Sequence, residues 1–464
     1  MSEPTELIEE NELGYAPVGR LMLRLALPTI AAQIVNMLYN IVDRIYIGHI
    51  PDVGSQALTG VGVTFPIIIL ITAFSSLIGM GGAPRAAIAL GQKNHKQAEK
   101  VLGNCFTALV VLSVLLTALF LLTQQQILLW FGASADTLPY ALQYLNIYVL
   151  GTIFIQIALG MNGFITAQGK SKIAMYTVLI GAALNIVLDP VFIFVFGLGV
   201  RGAAIATVLS QCVSAIWVVR FLTGPKTDLR LKRENLRCQS SVLLPVIALG
   251  LSPFVMQSTE SLLSITFNVS LAKYGGDIAV GSMTILTSLL QMLNMPLMGL
   301  TQGAQPIISY NYGAKKVDRM RRAVRLLVVS AICYTTLFWL AIRLIPGPII
   351  SVFTNDAELL VFTEWALRIY MATAFVLGIQ QSFQQSFIAL GEAKISLFLA
   401  LLRKIILLIP LILILPQFLS NQLFAVFLAE PISDFLAAMT TMTLFLIRFR
   451  KIVRGMQTDS SSAA

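Results

Sequence analysis

Long apolar runs separated by short polar stretches recur along nearly the whole chain. A helix needs about 20 mostly apolar residues to cross the hydrocarbon of a bilayer. Twelve stretches meet that length: roughly 21–47, 56–82, 101–122, 138–159, 173–196, 202–222, 242–270, 279–303, 326–345, 358–388, 395–416 and 422–447. The pattern therefore predicts an all-α polytopic membrane protein with twelve transmembrane helices.

The chain also matches itself. "FITAQGKSKI" (164–173) aligns with "FIALGEAKI" (387–395) through Gly169 and Gly391, which stand 222 positions apart. At the same offset Gly81, Pro84 and Gly91 meet Gly303, Pro306 and Gly313, and Phe131, Tyr148 and Lys172 meet Phe353, Tyr370 and Lys394. Six spans per half is an even number, so both halves enter the membrane from the same side. Two six-helix bundles related by a pseudo-two-fold axis along the membrane normal follow, with substrate expected between them. The predicted organisation is a tail (1–19), a first lobe (20–222), a linker (223–241), a second lobe (242–447) and a second tail (448–464). The linker "TGPKTDLRLKRENLRCQSS" reads as polar, basic and without an apolar face.

Composition agrees with this class. Hydrophobic residues make up 57% and charged residues only 12% of the chain, against about 25% charged in an ordinary soluble domain; the mean hydropathy is +0.82. The net charge of +10 would suggest nucleic acid in a soluble chain, but here its placement is an orientation signal. Of the 32 Lys and Arg, 25 fall at the termini or in alternate loops, from Arg20 and Arg24 to Arg448, Arg450, Lys451 and Arg454. Basic loops mark the cytoplasmic side. Both termini are thus expected in the cytoplasm, the protein in the cell (inner, cytoplasmic) membrane, and anionic lipid headgroups beside it. The N-terminal "MSEPTELIEENELGYAP" is acidic and polar, unlike a signal or transit peptide. The four cysteines show no paired spacing and the two histidines lie near loops, so no metal site, disulfide or protease-like site is expected, nor an enzyme or a nucleic-acid partner.

The candidate chemistry is the polar residues inside spans, where a carboxylate at a helix centre costs about 2.5–3.5 kcal/mol even on the milder scales. "GAALNIVLDPVFIFVFG" (181–197) carries Asn185 and Asp189 four apart, on one helix face. Pro190 removes the N–H that would bond the Ile186 carbonyl. A carboxylate, an amide oxygen and a freed carbonyl at one depth make a corner for a cation or proton, to which Thr207 can add a hydroxyl. In the first span Gln33, Asn36, Asn40 and Asp43 form one polar stripe that must face protein or water, and Pro28 marks an expected bend. Asp43 and Asp189, brought together, would exchange protons or share a monovalent cation.

The seventh span has its own stripe, Gln257, Glu260, Ser261, Ser264 and Asn268. Under the repeat Asp189 falls opposite Leu411, and Asp43 opposite Phe267 or its neighbours, so the acids are unequal between halves: Asp43 and Asp189 in the first, Glu260 alone in the second. Glu430 and Asp434 could line the cavity or be neutralised by Arg403 or Lys404. Gln380 and Gln384 could contact substrate or bond helix to helix, and Met292 and Met295 are candidate cavity lining. The expected cavity set is therefore Gln33, Asn36, Asn40, Gln257, Ser261, Met292, Met295, Gln380 and Gln384.

Assembled, these residues resemble the multidrug and toxic compound extrusion (MATE) family, in its bacterial drug-exporting branch. The resemblance is carried by "LPTIAAQIVNMLYNIVDRIYIG" (27–48), "GGAPRAAIALGQKNHKQAEK" (81–100), "AQGKSK" (167–172), "NIVLDP" (185–190), "GAAIATVLSQ" (202–211) and "QPIISYNYGAKKVDRMRRAV" (305–324). It implies two bundles forming a V that opens alternately to either side, and export of amphipathic organic cations in exchange for Na⁺ or H⁺. By position it implies a first-lobe cation site at Asp43, Asn185, Asp189 and Thr207, and a helix bend at Pro28. Glu260 is similar to the seventh-helix acid of the Na⁺-linked branch, with "LSPF" where that branch has Leu-Pro. The expectation is a monomeric antiporter with no cofactor beyond its coupling ion. A flippase for lipid-linked saccharides and an exporter of a natural metabolite are the alternatives; the flippase would call for a cavity rich in Arg and Lys.

Overall fold

A computed structural model of the chain describes residues 11–461, with side chains through Thr458. The acidic stretch 1–10 of the expected tail lies outside the described residues. Among those described, every regular element is helical. After a single turn, Glu12–Tyr15, come α1 (Val18–Gly48), α2 (Gly54–Gly91) and α3 (His95–Trp130). The fourth span, α4, is a bent pair, Leu138–Leu150 and Thr152–Ala167, which meet at 58°. Next, α5 (Ser171–Pro190) continues into a π-helical turn, Val191–Val195, and α6 is Val200–Thr223. The unbroken assignment Ser240–Gly313 contains one non-helical residue, Gly276, at φ 64° and ψ −159°. Only glycine enters that region without steric cost, so the stretch is two spans, α7 (240–275) and α8 (277–313). The second half ends with α9 (Val317–Leu344), the bent pair α10 (Ala357–Tyr370 and Ala374–Ala389, 48°), α11 (Ala393–Phe418) and α12 (Gln422–Ser461). Twelve spans result, in two sets of six.

The repeat is visible in the backbone. Gly276 stands 222 positions after Gly54, the first residue of α2. The break in α4 at Gly151 and the break in α10 after Tyr370 fall at matching places. Lys93 and Lys315, also 222 apart, both adopt positive φ (58° and 55°), as do Gly169 and Gly391 (81° and 77°).

Three apolar cores fix how the halves meet. One is shared: Leu21 and Leu25 of α1 and Leu90 of α2 pack in the same cluster as Val246 of α7, Ile307 of α8 and Phe387 of α10. It lies at the end that carries the basic loops. The other two are separate: Ile47, Ile71, Phe120 and Tyr144 in the first lobe, Phe267, Leu286, Tyr370 and Phe427 in the second. The lobes are joined at the basic end and splay apart toward the opposite end, because apolar burial between them is confined to one side.

Three segments carry structure beyond the sequence reading. The first tail is not loose over 11–17: Leu13 is fully buried, its carbonyl accepts from Asn311 Nδ2 at 2.9 Å, and Asn11 Nδ2 donates to the Gln168 carbonyl at 3.3 Å. That short segment touches both lobes. The linker is not uniformly solvated either; Leu229 is fully buried, and Gln168 Oε1 accepts from Thr227 Oγ1 (2.8 Å) and the Asp228 N–H (2.8 Å). Three leucines (Leu229, Leu231 and Leu236) scattered in a basic stretch make no helical apolar face, which is why this docking was not legible. The last span has no break at 447; α12 runs on through the basic residues to Ser461.

Candidate functional site

Between the lobes lies a cavity of about 540 Å³. The α1 stripe forms one wall: Gln33, Asn36, Asn40 and Asp43 all line it, as their helical spacing required. From the second lobe come Gln257 of α7 and Met295, Gln302 and Ser309 of α8. The floor is closed by bonds across the lobes. Gln33 Nε2 donates to Gln302 Oε1 (3.0 Å), Gln257 Nε2 to Ser76 Oγ (2.7 Å), and the Phe74 and Phe254 rings lie 4.9 Å apart.

Behind the wall sits the acid pair. Asp43 arrives on α1, Asn185 and Asp189 on α5, Thr207 on α6. Asn185 Nδ2 donates to Asp189 Oδ1 (3.1 Å) and to Thr207 Oγ1 (3.3 Å), and the Asp43 and Asp189 carboxyls are near enough to interact electrostatically. Asp189 has no exposed surface and Asn185 only 2%. Asp43 Oδ1, Asp189 Oδ2 and Asn185 Oδ1 are buried without a donor. Buried acceptors left in this state are costly, and a proton or a small cation is the kind of partner that would satisfy them. Among the described residues no group of three His, Cys, Asp or Glu is arranged to hold a metal; the acceptors here are amide, hydroxyl and carboxyl oxygens.

Local backbone explains the placement. After Pro190 the helix widens, and the Phe196 N–H bonds the Val191 carbonyl at 2.9 Å, five residues back. The bulged turn is accommodated by Gly202 of α6, where any Cβ would collide with the Phe192 carbonyl. The close approach brings Thr207, further along α6, to Asn185. The other proline, Pro28, does not interrupt α1, which is helical from Val18 to Gly48; beside it Thr29 Oγ1 donates to the Gly299 carbonyl of the second lobe at 2.6 Å.

The comparison with known proteins fits this architecture. The MatE family model matches residues 28–191 and 253–414, well over half of the chain. The chain belongs to the MATE family. Relatives include the multidrug export protein MepA of Staphylococcus haemolyticus (strain JCSC1435), 26% identical over 441 residues, covering 93% of this chain and 95% of that protein. MepA of Staphylococcus aureus (strain N315) is 25% identical, covering 96% and 98%. Among solved structures, the MATE multidrug transporter DinF-BH, solved in complex with a dye, superposes with a TM-score of 0.88 at 36% identity, over 96% of this chain and 99% of that one. A MATE protein in its bent conformation superposes with a TM-score of 0.90 at 22% identity, over 96% of this chain and 98% of that one, which speaks for the fold alone. Its many apolar helices give it the multi-pass membrane architecture of a transporter of this family.

Within this MATE fold the second lobe departs from expectation. Glu260 is not a lone acid poised for an ion: its carboxylate is bonded to Lys404 of α11. Lys404 Nζ also donates to the Met256 carbonyl at 2.6 Å. Beside it Arg403 Nε bonds Asp434 Oδ1 (2.7 Å) and Arg403 Nη2 bonds Glu430 Oε1 (3.3 Å), all three nearly fully buried. The acids of this lobe already hold built-in cations, because a π-helical stretch of α11, Leu402–Leu408, turns two consecutive basic residues inward.

Four cavity candidates lie elsewhere. Ser261 and Met292 sit further from the basic end than Gln257 and Met295, where the lobes have already parted, and neither lines the cavity; Met292 is 43% exposed. Gln380 and Gln384 are buried inside the second lobe, Gln384 Nε2 donating to Ser252 Oγ and the Ser396 carbonyl at 2.8 Å each. Their repeat partners, Ala158 and Asn162, belong to α4, whose Asn162 does face the cavity. The cavity lies on the first lobe's side of the pseudo-symmetry axis, so equivalent positions do not have equivalent surroundings.

Sequence reasoning missed Tyr39, Tyr144, Arg44, Gln302 and Gln305, all on the cavity wall. The signal for the last two was the repeat itself. Ser76, Met80, Ala83, Pro84 and Ala87 of α2 line the cavity, and so do their partners Met298, Gln302, Gln305, Pro306 and Ser309 of α8. Extending the match from the paired Gly and Pro to the helix face they mark would have found them.

Proposed function

We propose that the chain is a secondary active exporter of amphipathic, mostly cationic compounds, driven by exchange against H⁺ or Na⁺ in an alternating-access cycle. The observation that carries this reading is the first-lobe acid pair, Asp43 and Asp189, close together with buried oxygens that lack donors. An ion entering there removes negative charge next to the cargo cavity, so ion and cationic cargo favour different states and each shifts the population by its differential affinity. Family membership and the curated relatives named as multidrug export proteins support the export direction, and a relative 36% identical was solved with a dye bound. The shared core at the basic end supports an arrangement open away from the cytoplasm, given that basic loops mark that side. In this reading the protein works as a monomer in the cell (inner) membrane, with both termini cytoplasmic and anionic lipids around its basic loops.

A flippase for lipid-linked saccharides fits less well, since Arg44 is the single basic residue among the described cavity-lining side chains and pyrophosphate calls for several. A natural metabolite as cargo is compatible with the same site. Efflux from proteoliposomes, measured under a Na⁺ gradient and a pH gradient separately, tests the reading. The parent should pump under at least one gradient and Asp189→Asn under neither. Equal coupling in parent and variant would remove the acid pair from the mechanism.

A further inference from the structure

The cavity wall holds two charged side chains among its described residues, Asp43 and Arg44. They are neighbours on α1 but point differently, as consecutive helix residues must. Asp43 turns Oδ1 into the buried cluster. Arg44 reaches across to α2, its guanidinium carbon 4.2 Å from the centre of the Phe65 ring, while remaining within electrostatic range of Asp43 and Tyr144. A guanidinium over an aromatic face is an attractive cation–π arrangement. Here it takes the kind of site that a flat organic cation entering the cavity would use.

The charges decide what this means. Asp43 and Asp189 with Arg44 leave one formal negative charge at the site when both carboxyls are ionised, which is matched by a single positive charge on a cargo. Without Arg44 the site would carry two, matched by a dication. Once an ion neutralises one carboxyl, Arg44 balances the other and no net attraction for a cation remains. We infer that Arg44 is a tethered counter-charge that weakens the cavity's attraction for organic dications more than for monocations. This rests on the proposed export of cations. It adds a specificity-determining residue that is neither in the acid pair nor bonded to it.

Coulomb energy scales with the charge of the ligand, which gives the inference a quantitative signature. Removing the Arg44 charge should tighten a monocation by some factor and a dication by about the square of it. Ethidium and propidium share one phenanthridinium ring system and carry one and two positive charges, and the change in their affinity ratio between variants cancels the longer side chain of propidium. Their binding to the purified full chain in lipid nanodiscs can be followed by fluorescence anisotropy for the parent, Arg44→Gln and Arg44→Lys. Arg44→Gln should shift the ratio of the two dissociation constants at least about tenfold toward propidium, a change of about 1.4 kcal/mol, whereas Arg44→Lys should keep the parental ratio.

Other outcomes overturn the inference in separable ways. If Arg44 acted merely by covering Phe65, Arg44→Gln would tighten both dyes by the same factor and the ratio would not move. If Arg44→Lys moved the ratio as far as the Gln variant, charge would not be the cause. Should Arg44→Gln fail to give monodisperse protein, Arg44→Met serves in its place, and a ratio equal to the parent's sinks the inference. A parent that binds neither dye sinks the cation-export reading and this inference with it.

Discussion

Gly91 and Gly313 hold the two lobes together through a reciprocal contact. Gly91 at the end of α2 rests on the carbonyl of Tyr310, three residues before Gly313, and Gly313 at the end of α8 rests on the carbonyl of Ile88, three residues before Gly91. A Cβ at either position would overlap that oxygen. The duplication placed the two glycines 222 positions apart, and the pseudo-two-fold axis brings them face to face at the basic end. Backbone approaches this close are what small residues permit between membrane helices.

Gly91→Ala and Gly313→Ala should therefore pry open the basic end. Overpacking of a tight contact costs about 1–3 kcal/mol, enough to move a two-state equilibrium roughly five- to 150-fold. Distances between spin labels on α2 and α8 near that end should lengthen in both variants, and a distribution identical to the parent's would mean that this contact does not hold the closed state.

The ion that drives transport should also stabilise the fold. A ligand that binds the native state alone adds about 2.7 kcal/mol at one hundred times its Kd. Thermal unfolding of the parent should therefore shift upward on adding either Na⁺ or protons, and Asp189→Asn should lose most of that shift. Equal shifts in the two proteins would place the ion elsewhere.

The second lobe should respond in the opposite manner. Arg403→Met leaves Glu430 and Asp434 buried without their shared partner, and breaking a buried ion pair on one side costs about 3–5 kcal/mol. Loss of unfolding temperature, with poor recovery of folded protein, is the expected result. Glu260→Gln should leave the ion dependence of efflux in place, because Lys404 rather than a transported ion holds that carboxylate; an altered ion stoichiometry in this variant would restore Glu260 to the coupling machinery.

Gln33 and Gln384 separate cavity from core. Gln384→Ala removes bonds to Ser252 and Ser396 and should cost about 1–3 kcal/mol of stability with dye affinity intact. Gln33→Ala should do the reverse, changing dye affinity severalfold at nearly parental stability. Matching effects of the two variants on dye binding would contradict the cavity as drawn.

Much of this protein was legible in one dimension. Hydrocarbon thickness sets span length, so twelve helices could be counted, and the two-lobe plan followed from a single offset, whereas the matching breaks and positive-φ turns appeared only in the backbone. The α1 stripe and the Asn185–Asp189 pair were readable because helical spacing alone decides which side chains share a face, and lipid forbids that face from pointing outward. What faces what across the lobes was not. The cavity sits to one side of the symmetry axis, so Asn162 lines it while its partner Gln384 is core. Glu260 meets Lys404 and Arg44 finds Phe65 only because a widened helical turn in one case, and helices adjacent in space in the other, join positions that no local spacing connects.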